Sequence, residues 1–272
     1  MGRTVVGSRF SAKAQSYEKY ALVQKQMATG LFEMVKESAC TTNVRHMLEI
    51  GCGTGGLTCL ARKHFQEASY QAIDVASGML QKAKERLAKL HLSCSFLQED
   101  AEDWVWRQPA GSQDLILSGA CFQWFTQPER TLQGLYRLLR PEGNLFFSTF
   151  GSATFCELHD SFAYAHASLG EPNVRHGLYL MDASEWSEMV GRAGFRDIRV
   201  SSQKVILTYP KVMDFLHAVK AVGANASHDQ TGGLGRRKLM LEMMRSYERI
   251  YGSEQSVPVT YEIVYVHGKR SV

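Results

Sequence analysis

The order of apolar and polar positions through the middle of the chain predicts alternating strands and helices. Short apolar runs of strand length are separated by segments whose apolar residues recur at helical spacing. This alternation is typical of a parallel sheet that is covered by helices. We predict five strands in this part of the chain, at residues 44–50, 69–75, 94–97, 114–118 and 144–150.

Two of the intervening segments have one apolar face each. The face of the first consists of Met79, Ala83, Leu87 and Leu90. The face of the second consists of Leu132, Leu135, Tyr136 and Leu139. Both helices can pack one side onto the sheet. Because parallel strands need right-handed crossover connections, this order of elements predicts a doubly wound, Rossmann-like α/β fold.

The rest of the chain is predicted to extend the sheet and to cover it. Two more apolar runs, 195–207 and 260–267, bring the mostly parallel sheet to seven strands. The second run alternates in polarity, so we expect an antiparallel last strand at an edge. An apolar stripe predicts an N-terminal helix over the sheet's edge, and its members are Leu22, Val23, Met27, Leu31 and Met34.

We expect one domain over residues 1–272 with four functional parts. Residues 1–40 form a helical cap, and residues 44–150 form a cofactor-binding core. Residues 151–192 and 211–250 are helical insertions that form a lid over the substrate. The second insertion is interrupted at 223–235, where Gly, Asn, Ser and Asp predict a loop.

Composition and charge restrict the class of protein. No segment approaches the roughly 20 apolar residues that a bilayer span needs, and the first residues lack the apolar run of a secretory signal. We therefore expect a cytoplasmic protein that does not bind a membrane. A formal net charge of +4 is too small to indicate nucleic-acid binding. Six cysteines without a CxxC pair or metal-ligand spacing predict reduced thiols and no metal site.

The strongest chemical signal is a glycine-rich turn between the first strand and a helix. Such a turn exposes backbone amides to a ligand at a helix N-terminus. The sequence from Glu49 to Gly56 fits two patterns. Gly51, Gly53 and Gly56 match a dinucleotide site, whereas Glu49 with Gly51, Gly53 and Gly55 match a site for S-adenosylmethionine. A tight turn that binds nothing is the third interpretation.

Two acidic residues follow the next two strands and favour one of these patterns. Asp74 ends the second strand, where a carboxylate can accept hydrogen bonds from both ribose hydroxyls of either cofactor. Asp100 follows the third strand, where it can receive the amino group of an adenine. Val75 and Met79 would supply apolar contacts to the ring. The alternative for Asp100 is a helix N-cap without a ligand.

These motifs, with the turn at 138–143, resemble the class I S-adenosylmethionine-dependent methyltransferases over residues 44–150. The resemblance implies S-adenosylmethionine as the cofactor. It also implies a set of cofactor-binding residues, namely Glu49, Gly51, Cys52, Gly53, Gly55, Asp74, Val75, Met79, Asp100, Ala101 and Ser118. The Asn/Asp-Pro-Pro-aromatic motif of enzymes that methylate nucleic-acid amino groups is absent after the fourth strand. Phe122 and Trp124 there are either core residues or part of the site.

Further segments resemble the malonyl-acyl-carrier-protein O-methyltransferases of biotin synthesis, namely residues 10–11, 17–24, 123–124, 157–159, 220–224 and 258–262. The implied reaction is methylation of the free carboxylate of a malonyl thioester on acyl carrier protein. A carboxylate is ionised at neutral pH, so the reaction needs no general base. We therefore expect residues that hold and orient the acceptor, namely Tyr17, Phe150, Arg175, His176 and Tyr209. The alternative interpretation of Arg175 and His176 is that they are surface or packing residues without contact to the acceptor.

A basic stretch offers a candidate docking surface for the acidic carrier protein. Arg236, Arg237 and Lys238 lie within the second insertion, and opposite charge would steer association. The alternative is a solvated helix face. Three other functions compete. One is methylation of a small molecule such as a quinone precursor, with His159 or His176 as a base. The others are a nicotinamide-dependent oxidoreductase and a cofactor-binding protein without catalysis.

Overall fold

The computed structural model describes residues 3–38, 43–223 and 234–271. Within them seven strands pair in one sheet in the order β3-β2-β1-β4-β5-β7-β6. The strands are β1 His46–Ile50, β2 Ser69–Asp74, β3 Ser95–Gln98, β4 Gln113–Gly119, β5 Leu139–Phe150, β6 Arg196–Tyr209 and β7 Val257–Lys269. Strands β1 to β5 are mutually parallel, and β7 runs antiparallel to β5 and β6. The predicted doubly wound, mostly parallel sheet with an antiparallel last strand is confirmed.

Ten helices surround this sheet in the described residues. They are α1 Arg3–Tyr20, α2 Leu22–Glu37, α3 Gly56–His64, α4 Ser77–Lys89, α5 Ala101–Trp104, α6 Pro128–Leu138, α7 Cys156–Leu169, α8 Ala183–Arg192, α9 Val212–Ala221 and α10 Leu234–Tyr251. Most of the loop predicted at 223–235 lies outside the described residues. Within the described ranges, none of the helices combines the length and the apolar composition needed to cross a membrane.

Strand β7 corrects the prediction of an edge position for the last strand. It lies between β5 and β6, and β6 forms the edge. Its polar residues do not face solvent. The Glu157 carboxylate accepts a hydrogen bond of 3.0 Å from the Thr260 backbone amide, and the Glu262 carboxylate accepts one of 2.8 Å from the Ala153 amide. The polar alternation therefore comes from contacts with the segment after β5, which the sequence pattern does not distinguish from water.

Helix α2 corrects a second expectation. It contacts β4, β5 and β7, which lie inside the sheet, and not the sheet's edge. Its buried residues are Val23, Met27, Leu31, Phe32 and Val35. Leu22, which belonged to the predicted stripe, is 51% exposed. Three members of the predicted stripe are thus buried, while Phe32 and Val35 take the places of Leu22 and Met34. The stripe packs in the core with β7 residues such as Tyr265.

Helix α1 crosses the start of α4 and continues toward the second insertion. Gly78 at the start of α4 lies against Ser11, whose backbone carbonyl would be 2.7 Å from an added Cβ. Further along, the Ser16 hydroxyl donates a hydrogen bond of 3.2 Å to the carbonyl of Ala221 at the end of α9. In this way α1 connects the carboxyl edge of the sheet with the insertion that follows β6.

Gly30 allows the close approach of α2 to the sheet. An added Cβ would overlap the Tyr265 hydroxyl and lie 2.8 Å from its Cζ atom. We predict that Gly30→Ala lowers the free energy of unfolding by about 1–3 kcal/mol, because overpacking forces neighbours to move. Gly235→Ala is the matched control, since no atom lies within 4 Å of its added Cβ. Chemical denaturation of both variants, and of Gly30→Ala with Tyr265→Phe, checks this. Equal stabilities for Gly30→Ala and the control would contradict the close packing.

Candidate functional site

The glycine-rich turn follows β1 at the carboxyl edge of the sheet. Gly51, Gly53 and Gly55 all have positive φ angles, of 66°, 53° and 80°. An added Cβ at Gly51 would lie 2.6 Å from the Cβ of Cys121. The backbone amides of Gly51 and Cys52 donate to the Ile73 carbonyl at 2.9 and 3.1 Å. The turn is therefore fixed against β2 and against the segment after β4.

Asp74 at the end of β2 braces this turn from the other side. Its carboxylate accepts hydrogen bonds of 2.8 Å from the amides of Gly53 and Ala76. Burial raises the pKa of Asp74, and these backbone hydrogen bonds oppose the rise. The Val75 amide also contacts the carboxylate, so three of its four acceptor positions are used and one remains for a ligand. The residue lines a cavity. Asp74 can thus accept a hydrogen bond from a ligand while it holds the turn.

A first cavity of about 110 Å³ opens beside the turn. Seven of the residues predicted to bind a cofactor line it: Gly51, Gly53, Asp74, Val75, Met79, Asp100 and Ala101. The carboxylate of Asp100 also accepts a hydrogen bond of 3.0 Å from the Glu102 amide, at the start of α5. Asp100 therefore caps α5 and lines the cavity at the same time.

The other four residues of that predicted set lie behind the turn and not on the cavity wall. The Glu49 carboxylate is buried and accepts a hydrogen bond of 2.7 Å from the Tyr70 hydroxyl. The Ser118 hydroxyl donates to the Ile50 carbonyl at 2.9 Å. Cys52 is buried, and Gly55 packs against Ala83. These four support the turn from inside the protein, which a motif cannot distinguish from contact with the ligand.

A second cavity, of about 1040 Å³, adjoins the first. Phe10, Tyr17, Ala120 and Trp124 line both cavities. Trp124 therefore belongs to the site, whereas Phe122 is core and stacks on Phe147 with ring centroids 4.0 Å apart.

Sequence reasoning missed Phe10 and Ala120 as members of the common wall. For Phe10 the signal was the family-like segment at residues 10–11. Ala120, directly after β4, has a φ of +52°, which is rare for a residue with a side chain and is not visible in the sequence. The wall shared by the two cavities thus depends on the turn after β4, which carries no sequence motif.

Tyr17 and Phe150 have the positions expected of wall residues. Tyr17 is partly buried between the two cavities, and Phe150 lines the second. Burial raises the pKa of the Tyr17 hydroxyl, and the neighbouring carboxylates of Asp74 and Glu18 raise it further. The hydroxyl consequently stays protonated and can act as a hydrogen-bond donor toward either cavity.

Arg175 and His176 both line the second cavity, with different surroundings. The Nε2 atom of His176 lies 2.9 Å from that of His166, and its ring stacks on Phe162 with centroids 3.9 Å apart. This packing fastens residues 171–180 to α7. The Arg175 guanidinium is exposed and lies over the Tyr179 ring, 5.2 Å from its centroid.

Tyr209 does not lie on the wall of either cavity. It hydrogen-bonds to Tyr261, which does line the second cavity, and it therefore lies behind that residue.

Cationic side chains from three elements border the second cavity. Lys220 on α9 and Arg236 on α10 line it together with Arg175, and all three are exposed. Glu171 is the one acidic residue among the lining residues in the described part. His159 also lines the cavity, and burial with the nearby Arg175 lowers its pKa, so it is neutral at neutral pH. The cavity thus has a positive border suited to an anionic ligand.

The fold and the braced turn define a methyltransferase of the Rossmann-like class, and residues 47–143 match the family model described as a methyltransferase domain. A malonyl-[acyl-carrier protein] O-methyltransferase of Brevibacillus brevis is 57% identical, covering 100% of this chain and 98% of that relative. One of a Paenibacillus species is 36% identical, covering 97% and 98%. The chain therefore belongs to the malonyl-[acyl-carrier protein] O-methyltransferase family, which confirms the resemblance predicted from sequence.

A solved structure shares the fold at much lower sequence identity. Phosphoethanolamine N-methyltransferase 2 of Haemonchus contortus, in complex with S-adenosyl-L-methionine, has a TM-score of 0.59 and 17% identity. The similarity covers 96% of this chain and 57% of that one. At this identity the likeness concerns the architecture and not the acceptor.

The buried carboxyl of Glu49 has a raised pKa, and a substitution can test this. Burial raises the pKa of Glu49 to about 7, although the nearby hydroxyls of Thr58 and Tyr70 lower it. The folded state therefore holds a proton that the unfolded state has lost above about pH 4.3. Because Glu49 ionises more readily in the unfolded state, the free energy of unfolding falls progressively from that pH up to about pH 7. Above about pH 7 the loss remains constant.

We predict that Glu49→Gln removes this loss, so that the melting temperature of the variant falls less between pH 5 and pH 8 than that of the wild type. Because Glu49 lies behind the turn, affinity for the cofactor should change less than about threefold, within the context dependence of a single hydrogen bond. Thermal melts at both pH values and a binding titration check this. A large loss of cofactor affinity with unchanged pH dependence would place Glu49 in contact with the ligand instead.

Proposed function

We propose that the protein transfers the methyl group of S-adenosylmethionine to the free carboxylate of malonyl-acyl carrier protein. The observation that carries the proposal is the pair of adjoining cavities with a common wall, one beside the braced glycine turn and one with a cationic border. Family membership supplies the identity of the acceptor. The protein is accordingly an enzyme, a carboxyl O-methyltransferase that acts early in biotin synthesis.

The residues of the first cavity fit S-adenosylmethionine. No atom lies within 4 Å of an added Cβ at Gly53, so the absence of a side chain leaves room for a ligand against the backbone. We assign the ribose hydroxyls to Asp74 and the adenine to Asp100 and Ala101, with Val75 and Met79 against the ring. When bound, the cofactor supplies a methyl group on a positively charged sulfur. Glu49, Cys52, Gly55 and Ser118 support these contacts from behind.

The protein's own contribution is to orient the acceptor and to exclude water. The carboxylate is ionised above about pH 4, so no side chain has to remove a proton. Tyr17 lies between the two cavities and Phe150 lines the second, and their placement favours in-line approach in a site with little water. Arg175 adds positive charge to the border, His176 fastens the segment that carries Arg175, and Tyr209 supports Tyr261. The methyl ester hides the charge, so that fatty-acid synthesis can extend the malonyl group.

We assign the parts of the chain to this reaction in the same way. The described residues of 1–40 cap both cavities through Phe10 and Tyr17, and residues 44–150 bind the cofactor. The described residues of the insertions at 151–192 and 211–250 form the lid over the acceptor, except that α8 packs against the sheet and lines neither cavity. We place the reaction in the cytoplasm. Five cysteines in the described part are free thiols, as is usual in a reducing compartment.

Intact-protein mass spectrometry tests the proposed function. Malonyl-acyl carrier protein incubated with the enzyme and S-adenosylmethionine should gain one methyl group, and a quinol incubated in parallel should gain none. Methylation of the quinol alone would replace the acceptor with a phenolic small molecule, which needs a general base. Binding of the cofactor without any transfer would indicate a protein without catalysis.

Tyr17→Phe should lower turnover more than cofactor affinity. The hydroxyl is protonated and lies between the cavities, so its loss removes one donor to the acceptor and leaves the aromatic wall in place. We expect kcat to fall about fivefold to tenfold, the effect of a hydrogen bond of about 1 kcal/mol. Steady-state kinetics and a cofactor titration check this, and an unchanged kcat would remove Tyr17 from the mechanism.

The outer face of α10 is our proposed docking surface for the carrier protein. Arg237 and Lys238 are exposed there and do not line the cavity, whereas Arg236 of the predicted patch does. Leu241, at 43% exposure, and Arg245 continue the same face by one and two turns. A basic face with an exposed leucine, on the helix that also borders the acceptor cavity, complements an acidic carrier protein.

Charge reversal at Arg237 and Lys238 should raise the KM for malonyl-acyl carrier protein about tenfold at low salt, because steering and capture are lost. Screening should reduce the difference from the wild type at high salt. Lys84→Glu with Lys89→Glu on α4 makes the same change of net charge away from both cavities and is the matched control. Equal KM values for the two double variants would show that the α10 face is exposed to solvent and does not dock the carrier protein.

A further inference from the structure

The charges of the reaction restrict which groups belong beside the reacting carboxylate. A carboxylate oxygen attacks the methyl carbon, the carbon–sulfur bond breaks with its electron pair left on sulfur, and a neutral ester and a neutral thioether result. The negative and the positive charge are therefore partly neutralised in the transition state and fully neutralised in the products. A cation paired with the carboxylate stabilises the reactants more than the transition state, which slows the reaction. A neutral, fixed hydrogen-bond donor orients the carboxylate at lower cost.

The structure separates cations from the place where the reaction must occur. Transfer requires the methyl group from the first cavity to meet the acceptor from the second, at the wall that they share. Residues of that wall include Ala120 and Trp124. The exposed cations Arg175, Lys220 and Arg236 line the second cavity alone. Gln123, between the two wall residues in sequence, lines the second cavity with a neutral amide.

Two hydrogen bonds fix the orientation of the Gln123 amide. Its Nε2 atom donates to the Ala120 carbonyl at 2.7 Å, and its Oε1 atom accepts from the Thr149 hydroxyl at 2.9 Å. A backbone carbonyl can only accept, so the assignment of nitrogen and oxygen is determined by the partners. Thr149 is fully buried in β5. The amide nitrogen carries two hydrogens, and the Ala120 carbonyl uses one of them.

The turn that presents this amide is itself held in place. Ala120 has a φ of +52°, a conformation that costs a residue with a side chain free energy and persists only where the surroundings enforce it. Its amide donates to the Ser148 carbonyl at 2.9 Å, and its carbonyl accepts from Gln123. Adjacent residues of β5, Ser148 and Thr149, thus anchor both the turn and the side chain. Such a shell positions a donor to the accuracy that catalysis needs.

We propose that Gln123 donates its remaining Nε2–H to the acceptor carboxylate and orients it toward the methyl group, with Thr149 as the residue that positions the amide. This inference rests on the proposed function, because it presumes a carboxylate acceptor. The amide donates a charge-assisted hydrogen bond to a free carboxylate, whereas the carbonyl of the methyl ester that the reaction produces accepts only a weaker, neutral one. The residue therefore also favours release of the product.

A comparison of charged and neutral ligands tests the proposal. The affinities of malonyl-acyl carrier protein and of its methyl ester are measured with S-adenosylhomocysteine present, so that no turnover occurs. Gln123→Glu keeps the size of the side chain, loses the donor and adds a negative charge. We expect it to weaken binding of the malonyl carrier at least about tenfold. Binding of the methyl ester should weaken much less, because the ester loses only a neutral hydrogen bond and carries no charge for the new carboxylate to repel. Binding of S-adenosylhomocysteine should change less than about twofold.

Substitutions at Thr149 supply a second, milder test. Thr149→Val removes the hydroxyl that fixes the amide, whereas Thr149→Ser keeps it and is the matched control. We expect kcat to fall about fivefold to tenfold in Thr149→Val, with the KM nearly unchanged, and to stay near the wild-type value in Thr149→Ser. Equal kcat values for the two variants would overturn the positioning role.

The outcomes separate the two proposals. If Gln123→Glu weakens the charged ligand, the ester and S-adenosylhomocysteine alike, Gln123 merely supports the Ala120 turn and the inference is wrong. If it binds the malonyl carrier as the wild type does, the inference is also wrong, while the proposed function stands. If the wild type binds S-adenosylhomocysteine but does not methylate malonyl-acyl carrier protein, both proposals fail.

Discussion

The carboxylate of Asp74 is the constraint on which the rest of the site depends. It joins the turn after β1 to the start of α4, through the amides of Gly53 and Ala76. The parallel pairing of β1 with β2 brings these two segments to the same edge of the sheet. Without a carboxylate there, the left-handed backbone of the turn would lose one of its fixed partners. Asp74 also lines the first cavity, so one residue both supports the turn and forms part of the cavity wall.

The second cavity is positioned by the same helix, α1, that borders the first. Helix α1 packs on the start of α4, and the Glu18 carboxylate pairs with Arg86 on that helix at 2.6 Å. Phe10 and Tyr17 are thereby held over both cavities. At its other end, Ser16 ties α1 to the end of α9. Helix α1 therefore contacts both the segment beside the first cavity and the insertion that carries Lys220.

Local patterns in the sequence predicted the sheet because each strand and helix is specified by its own periodicity. They placed Asp74 and Asp100 correctly on the wall of a cavity, since both follow directly from the ends of parallel strands. They failed where a polar residue has an interior partner. Glu49 bonds to Tyr70, and Glu262 bonds to the amide of Ala153. A periodicity cannot distinguish these partners from solvent or from a ligand.

The acceptor side was harder to predict for a related reason. Its wall is assembled from segments far apart in the chain, so Phe10 meets Trp124 with ring centroids 5.3 Å apart although more than a third of the chain separates them. The role proposed for Gln123, in the turn after β4, depends on Thr149 in β5. No spacing within one segment encodes such a contact. Tertiary structure was needed to assign these residues.

Hydrogen exchange tests the central claim, that one cavity binds the cofactor and the adjoining one receives the carrier-bound acceptor. S-adenosylhomocysteine alone should protect amides of the glycine turn and of the starts of α4 and α5, including Gly53, Ala76 and Glu102. Malonyl-acyl carrier protein, added next, should protect α7, α9 and α10 and residues 171–180. Protection of the glycine turn by the carrier protein alone, with none in these helices, would contradict the account.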